Sequence, residues 1–162
     1  MRQRDTKGVS FASDDEFLLK LELLSDPKLL FVVRGALERL TEIFGFSPPD
    51  RRSVTRAVDE ALTNIMRHCY NGRTDQPIEI YCSRVPPGSS GQADGLQIML
   101  RDQGPAIDPA KLRGRRLDEI KPGGLGLHFI KQSMDTVEYR RVGNINEFRL
   151  VKYLQPSQAR TS

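Results

Sequence analysis

Three polar side chains of different chemistry repeat every four residues in the stretch DEALTNIMRHCY. They are the carboxylate of Glu60, the carboxamide of Asn64 and the imidazole of His68. In an α-helix this spacing puts the three side chains within about 80° of one another. A carboxylate can take a proton from an attacking hydroxyl, and an amide oxygen can bind Mg²⁺ beside phosphate oxygens. The stretch indicates proton-transfer and cation-binding chemistry, although a solvated helix edge with a chance repeat is the alternative.

A second segment with ligand-binding chemistry is RDQGPAIDP, directly after an apolar strand pattern. Asp102 can accept a hydrogen bond from the exocyclic amine of a base, and Gly104 lets the backbone pass close to the ring. An ordinary turn is the alternative, because Asp, Gly and Pro are common turn residues.

A third segment, KPGGLGLHF, is a glycine cluster that opens a predicted helix. Backbone N–H groups ahead of a helix N-terminus can bind an anion, and the helix dipole favours the negative charge. The spacing is neither that of a P-loop nor that of a dinucleotide fingerprint, since Phe129 stands where the third glycine would be. A flexible loop with a helix cap is the alternative.

The elements that must position these segments follow from hydrophobic periodicity. The pattern predicts a strand, two helices, two strands, a long loop, a helix that runs to Val137, and two final strands. Ser25 or Asp26 with Pro27 marks the start of the first helix, and Ser47 with Pro48 marks the start of the second. This order predicts an α+β fold, a two-layer sandwich with helices on one face of a mixed, mostly antiparallel sheet.

Length and composition set the outer bounds. The chain has 162 residues, 38% hydrophobic residues, a mean hydropathy of -0.48 and a formal net charge of +4. We expect disordered tails at 1–14 and 155–162 around one domain at 15–154. No apolar run can span a bilayer, so we expect a cytoplasmic protein without membrane contact. Cys69 and Cys82 are predicted to be buried, reduced side chains, and two histidines, His68 and His128, do not favour a zinc site.

Together, in this order, the three segments resemble the nucleotide site of the GHKL ATPase superfamily, the gyrase and histidine-kinase type. The closest likeness is to the bacterial anti-sigma factor serine kinases, from about residue 15 to residue 154. The motif E-x-x-x-N-x-x-x-H-x-Y is similar to the N box of that group, and Asp102-x-Gly104 with Asp108-Pro109 resembles its adenine-binding box. Gly124-Leu125-Gly126-Leu127 resembles its phosphate-proximal glycine box.

A sensor histidine kinase fits the sequence less well. Ala106 stands where those kinases usually carry a second glycine, and the chain lacks a phosphoacceptor histidine in an H-[ED]-x-x-x-P context.

The resemblance implies ATP and Mg²⁺ as cofactors, with Glu60 as the general base and Asn64 as the metal ligand. The residues that it assigns to nucleotide binding are Asn64, His68, Asp102, Gly104, Ile107, Gly123, Gly124, Leu125, Gly126 and Leu127. For His68, a structural role at the helix end is an equal alternative. The segment between the two boxes corresponds to an ATP lid, and its basic residues are either phosphate contacts or a solvated charge run: Arg113, Arg115, Arg116 and Lys121.

The function implied by the resemblance is that of an ATP-dependent serine/threonine kinase that acts as an anti-sigma factor. It would phosphorylate a small STAS-type antagonist protein and sequester a sigma factor, without direct nucleic-acid contact. Homodimers are common in the resembled family, so the resemblance also implies a possible homodimer. The alternative is a non-catalytic, nucleotide-dependent binding module in a partner-switching system, and Glu60 favours the enzyme because a module of that kind needs no base.

Overall fold

The computed structural model describes residues 17–88, 93–108 and 125–156. Strand β1 is Leu19–Leu24, and a 3₁₀ turn at Pro27–Leu29 leads into helix α1, Leu30–Ile43. Helix α2 is Pro48–Asn64 and continues as a π-helical turn, Ile65–Cys69. Strands β2, Pro77–Val85, and β3, Gly95–Asp102, precede helix α3, Leu125–Ser133. Strands β4, Thr136–Val142, and β5, Ile145–Tyr153, complete the described elements.

Several predicted features lie outside the described residues. They are the tail at 1–14, most of the tail at 155–162, the basic residues Arg113, Arg115, Arg116 and Lys121, and the glycines Gly123 and Gly124.

The five strands form one sheet in the order β1-β2-β3-β5-β4. Every neighbouring pair is antiparallel. The predicted α+β class is confirmed, but the parallel pair that a mixed sheet implies does not occur among the described strands. Strands β2 and β3, and strands β4 and β5, are adjacent in the chain and can pair as hairpins, which accounts for their antiparallel direction.

The core lies between the sheet and the helices. Strand residues at alternate positions face the helices, and one such row contains Cys82, Ile98 and Leu150. Leu37 of α1 and Leu62 of α2 pack into the same cluster and are fully buried. The periods of two along the strands and 3.6 along the helices therefore meet in one apolar layer. Within the described residues, no helix is long and apolar enough to cross a membrane.

The two helix starts follow the predicted capping chemistry. The Asp26 carboxylate accepts a hydrogen bond from the Lys28 amide, and the hydroxyl of Ser47 accepts one from the Asp50 amide. Proline follows each cap, at Pro27 and Pro48, where its missing N–H costs nothing. These contacts fix where each helix leaves the sheet layer.

The end of α2 differs from the regular helix that the four-residue spacing predicts. From Ile65 to Cys69 the backbone is π-helical, and the Tyr70 amide donates to the Ile65 carbonyl. His68 therefore does not continue the stripe of Glu60 and Asn64 at the α-helical angle, since a π turn spaces residues differently. The helical run stops at residues 71 and 72, where positive φ angles end it as predicted.

Helix α3 is shorter than the sequence predicts. It ends at Ser133, and the chain is already in β4 at Thr136, so the predicted continuation to Val137 is wrong. Strand pairing competes for these residues, because the Asp135 amide donates to the Val151 carbonyl and Thr136 lies opposite Val151. Backbone bonds to β5 replace helical bonds here.

The two cysteines provide a test of the fold. Both are buried, and burial raises the pKa of each thiol to about 12. We expect neither Cys69 nor Cys82 to react with a thiol reagent in the native protein at pH 8, because the reactive thiolate is scarce. Two equivalents should react once the protein is unfolded in denaturant. Rapid labelling of the native protein would contradict this packing.

Candidate nucleotide-binding site

The beginning of α3 lies against the middle of α2. A Cβ atom added at Gly126 would come within 2.7 Å of the Oε2 atom of Glu60 and 3.5 Å of the Nδ2 atom of Asn64. A side chain at position 126 would require the Glu60 carboxylate to move, so the glycine lets the α3 backbone lie close to these two side chains. The fold thus joins the carboxylate and amide of one predicted motif to the glycine segment of another.

Contacts farther along α3 hold this helix on α2. The guanidinium carbon of Arg56 lies 4.4 Å from the centroid of the Phe129 ring, a cation–π contact between the two helices. Ile130 is buried in the core cluster. These contacts place the N-terminal end of α3, whose first backbone N–H groups have no partner within a regular helix, beside Glu60 and Asn64.

The polar side-chain atoms of Glu60 and Asn64 are available to a ligand. Glu60 and Asn64 are partly exposed, and neither side chain makes a hydrogen bond with another described residue. A carboxylate and an amide oxygen beside a helix N-terminus can bind a cation and its anionic ligand together. His68 is exposed, and no contact within the described part of the chain connects it to this pair. The structure therefore brings together two of the three stripe residues.

The second end of the site lies where β3 ends and where the π-helical turn after α2 ends. The Gly104 amide donates to the Oδ1 atom of Asp102 at 2.8 Å. A Cβ atom at Gly104 would lie 2.6 Å from Cys69 Cβ and 3.1 Å from the Cys69 carbonyl. Because a backbone atom is among these neighbours, a side chain at this position would force the chain to move. Gly104 therefore keeps the Asp102 segment packed on the π-helical turn.

Tyr70 is a further link between α2 and β3. Its hydroxyl accepts a hydrogen bond from the Gln103 amide at 2.8 Å and donates to the Pro77 carbonyl at 2.6 Å. The last residue of the predicted helix motif thus fixes the backbone that follows Asp102. Both ends of the site are attached to one continuous helical segment.

Sequence reasoning did not identify Asn146, which pairs directly with Asp102 across β3 and β5. Its Nδ2 atom donates to Asp102 Oδ1 at 2.8 Å and to the Pro105 carbonyl at 3.1 Å. Asn146 is 1% exposed and Asp102 is 4% exposed. The available signal was a polar residue in the same alternating row as Phe148 and Leu150 of β5, where a buried amide needs a buried partner.

Two residues of β4 complete the network around Asn146. The hydroxyl of Tyr139 donates to Asn146 Oδ1 at 2.8 Å and accepts from the Ile107 amide at 3.1 Å. Arg141 donates to the same Oδ1 atom at 2.7 Å and to the Gly104 carbonyl at 3.0 Å. The β4–β5 hairpin therefore holds the loop from Gly104 to Ile107 in a fixed position.

The second carboxylate oxygen of Asp102, Oδ2, indicates the role of this network. Oδ1 accepts two hydrogen bonds, whereas Oδ2 accepts none from a described residue. No side-chain oxygen or nitrogen that is shielded from solvent in the described ranges lacks a hydrogen-bond partner, and Asp102 as a whole is 4% exposed. Burial raises the pKa of Asp102, and hydrogen bonds from Asn146 and the Gly104 amide, with the charge of Arg141, oppose the rise. The site thus presents one free acceptor atom in a mostly apolar setting.

The α+β architecture, with helices packed on a five-stranded sheet, is that of a histidine kinase-like ATPase domain. The family described as histidine kinase-like ATPase domain matches residues 23–152. The chain therefore belongs to this family, and the predicted superfamily is confirmed.

Three curated relatives share one name, serine-protein kinase RsbW. That of Oceanobacillus iheyensis is 27% identical over 128 residues, which is 74% of this chain and 77% of the relative. That of Halalkalibacterium halodurans is 27% identical, covering 76% of this chain and 75% of the relative. That of Staphylococcus epidermidis is 23% identical, with 89% and 91% covered.

Two crystal structures share the fold. The SiaB–SiaC complex of Pseudomonas aeruginosa matches with a TM-score of 0.59 and 16% identity, covering 84% of this chain and 89% of the matched chain. The RsbU and RsbW domains of Rv1364c from Mycobacterium tuberculosis match with a TM-score of 0.57 and 15% identity. That match covers 85% of this chain and 33% of the longer one.

The close contact at Gly126 gives a test of the site. We expect Gly126→Ala to weaken Mg-ATP binding at least several-fold, because the new Cβ atom, beside Glu60 and Asn64, would hinder the close approach of the α3 backbone to the phosphates. The matched control is Gly35→Ala in α1, where no atom lies within 4 Å of the added Cβ. That change should leave ATP binding intact and stabilise the protein by about 0.5–1 kcal/mol. Calorimetric titration with ATP and thermal unfolding measure both effects, and equal ATP affinities in the two variants would contradict the assignment.

Proposed function

We propose that this protein is an ATP-dependent serine/threonine kinase that phosphorylates a small antagonist protein and also sequesters a sigma factor. One observation carries the proposal. Gly126 of α3 lies against Glu60 and Asn64 of α2, and the segment with Asp102 and Gly104 packs on the other end of the same helical segment. We assign the triphosphate to the first of these ends and the nucleobase to the second, and one helical segment connects them. The shared name of the curated relatives supports the kinase assignment.

Glu60 acts as the general base in this proposal. Its carboxylate takes the proton from the substrate hydroxyl as that oxygen forms a bond to the γ-phosphorus. The bond between the γ-phosphorus and the β–γ bridging oxygen breaks, and ADP leaves with that electron pair. The free, partly exposed carboxylate suits this role, and a base of this kind contributes roughly 10²–10⁴-fold in rate.

Asn64 is the protein ligand for Mg²⁺ in this proposal. The amide oxygen would hold the ion as one hard ligand, with water and phosphate oxygens as the ligand types that Mg²⁺ prefers besides it. The bound ion would neutralise phosphate charge. The N–H groups at the start of α3 bind phosphate oxygens, and the lack of a side chain at Gly126 leaves room for that approach. His68, exposed at the π-helical turn, contacts the phosphates or closes the helix.

Asp102 recognises the base through its free Oδ2 atom. An ionised carboxylate offers only acceptors, which match the exocyclic amine of adenine. Asn146 and the Gly104 amide hold Oδ1, so the carboxylate has one orientation. Ile107 is partly buried against the core and is the nearby apolar residue that we assign to the base.

The partners follow from the same proposal. The SiaB–SiaC structure is a complex of a protein with this fold and a second protein. We propose a STAS-type antagonist as the phosphoryl acceptor and a sigma factor as the sequestered protein. A partner can discriminate between ATP and ADP states only by its differential affinity for the two.

Glu60→Gln separates catalysis from binding. We expect ATP affinity within a few-fold of wild type and a loss of at least about 10² in the rate of phosphoryl transfer, because glutamine cannot accept the proton. The measurement is transfer of labelled phosphate from ATP to candidate antagonists. Glu38→Gln, an exposed glutamate of α1, is the matched control and should transfer normally.

Transfer at the wild-type rate by Glu60→Gln would remove Glu60 from the mechanism. Tight, nucleotide-dependent partner binding with no transfer by the wild type would favour the binding module over the kinase.

Asn146→Leu tests the orientation of Asp102. Leucine has a similar size but no donor, so Asp102 loses one of the two bonds that fix it. We expect ATP to bind at least tenfold more weakly, whereas purine riboside triphosphate, which lacks the exocyclic amine, should lose much less. Asp102→Asn should show the same pattern, because an amide can present a donor where the base needs an acceptor.

Protection of Cys69 and Cys82 from a thiol reagent serves as the control for folding of both variants. An equal loss for the two nucleotides in a folded protein would contradict recognition of the amine.

A further inference from the structure

The polar stripe of α2 begins two turns before Glu60. Arg52 and Arg56 precede Glu60 and Asn64 at the same four-residue spacing, and both arginine side chains are exposed. In a regular helix, residues four apart lie next to one another on one face. The stripe therefore carries two cations, then a carboxylate and then an amide, and its second half lies in the candidate nucleotide-binding site.

Arg52 and Arg56 differ from the other arginines in their lack of a polar partner. In the part of the chain that the structure describes, every other arginine except Arg67 makes a hydrogen bond or an ion pair. Arg56 makes no ion pair with Glu60 either, although the two lie one turn apart. Like charges at this spacing repel each other, so an anion bound beside Arg52 and Arg56 would be stabilised.

The neighbouring carboxylates of α2 do not neutralise these two arginines. Asp59 accepts hydrogen bonds from Arg34 of α1 at 2.8 and 2.9 Å. Asp50 lies 3.8 Å from the ammonium group of Lys152 on β5. The positive charge on this face of α2 is therefore left without a compensating charge, and an acidic segment of another molecule would complement it.

Phe129 of α3 fixes the position of one of the two guanidinium groups. The guanidinium carbon of Arg56 lies 4.4 Å from the centroid of the Phe129 ring. A guanidinium is a planar, rigid set of N–H donors that can bind a carboxylate through two parallel hydrogen bonds. Because the ring already holds the group, less side-chain freedom is lost when an anion binds. Arg56 is thus prepared to bind a carboxylate.

The two helices run in opposite directions at the site. Gly126 lies against Glu60 and Asn64, whereas Phe129, about one turn farther along α3, lies against Arg56, one turn back along α2. The N-terminal end of α3, to which we assign the triphosphate, is therefore on the Asn64 side of Glu60, and Arg56 is on the opposite side. A substrate hydroxyl has to reach both Glu60 and the γ-phosphorus, and the side that Arg56 borders is open to the protein that carries it.

With Glu60 as the general base, the role that the proposed function gives it, we propose that Arg56 recognises the phosphoacceptor protein. Its guanidinium binds the carboxylate of an aspartate or glutamate that stands close to the phosphorylated serine or threonine. Arg52 adds a second positive charge farther from the reaction. The acceptor segment is therefore acidic, and the contact holds its hydroxyl beside Glu60. Arg56 determines specificity for the protein substrate and takes no part in binding ATP.

Two short peptides test this preference before the acceptor protein is known. Each carries one central serine, which is flanked by aspartates in the first peptide and by asparagines in the second. Their affinities are measured by fluorescence anisotropy with Mg²⁺ and a non-hydrolysable ATP analogue. We expect the wild type to bind the aspartate peptide roughly tenfold more tightly, as one charge-assisted, bidentate contact allows.

Arg56→Met removes the charge but keeps an apolar contact with the Phe129 ring. This variant should bind both peptides alike, whereas Arg56→Lys should keep part of the preference, because lysine retains the charge without the bidentate geometry. The matched control is Arg39→Met in α1, which removes one charge from an exposed arginine and should keep the full preference. Protection of Cys69 and Cys82 from a thiol reagent reports the folding of every variant.

Three results would overturn the role of Arg56. They are equal binding of the two peptides by the wild type, a preference that survives Arg56→Met, and a loss of ATP affinity in Arg56→Met as large as the expected loss of the peptide preference. The last result would place Arg56 at the phosphates. Transfer of labelled phosphate to the peptides and to candidate antagonists is measured separately. A preference without any transfer would contradict the proposed kinase alone, and transfer without a preference would contradict the role of Arg56 alone.

Discussion

The end of the site that we assign to the nucleobase depends on one physical requirement. The buried carboxylate of Asp102 needs hydrogen-bond donors. Asp102 ends a central strand and faces the apolar layer, where an unpaired charge would be strongly unfavourable. Asn146 lies directly opposite it on β5 and supplies the donor, and the Gly104 amide supplies the second. This pairing leaves one oxygen for a ligand and fixes the loop that follows. The β4–β5 hairpin is thus part of the site, although no predicted motif lies on it.

A single helical segment sets the distance between the two ends of the site. Glu60 and Asn64 lie on its regular part, whereas Cys69 and Tyr70 lie at its irregular end and contact the segment after β3. Because one rigid element carries both sets of contacts, each end is located by packing rather than by long loops. The π-helical turn, Ile65–Cys69, follows the regular part of this segment, and irregular turns of this type are frequent near functional sites.

The sequence predicted most of the scaffold because its signals were local. Strands β2 and β3 were rich in apolar and β-branched residues. A capping residue followed by proline stood at the 3₁₀ turn that leads into α1 and at the start of α2. Helix α3 was predicted too long because pairing of Thr136 with β5 is a long-range effect that propensity does not contain. Glu60, Asn64, Asp102 and Gly104 were identified from spacing. Asn146 was missed because its importance comes from a partner 44 residues away.

The two glycines of the site are constrained in different ways, and this difference bears on how the fold responds to substitution. At Gly104 an added Cβ atom would lie 3.1 Å from the backbone carbonyl of Cys69, so a side chain there requires the main chain to move. At Gly126 an added Cβ atom would meet the end of the Glu60 carboxylate, which belongs to a flexible side chain and can rotate away. A larger residue at position 104 therefore burdens folding, whereas one at position 126 acts first on the placement of a polar side chain.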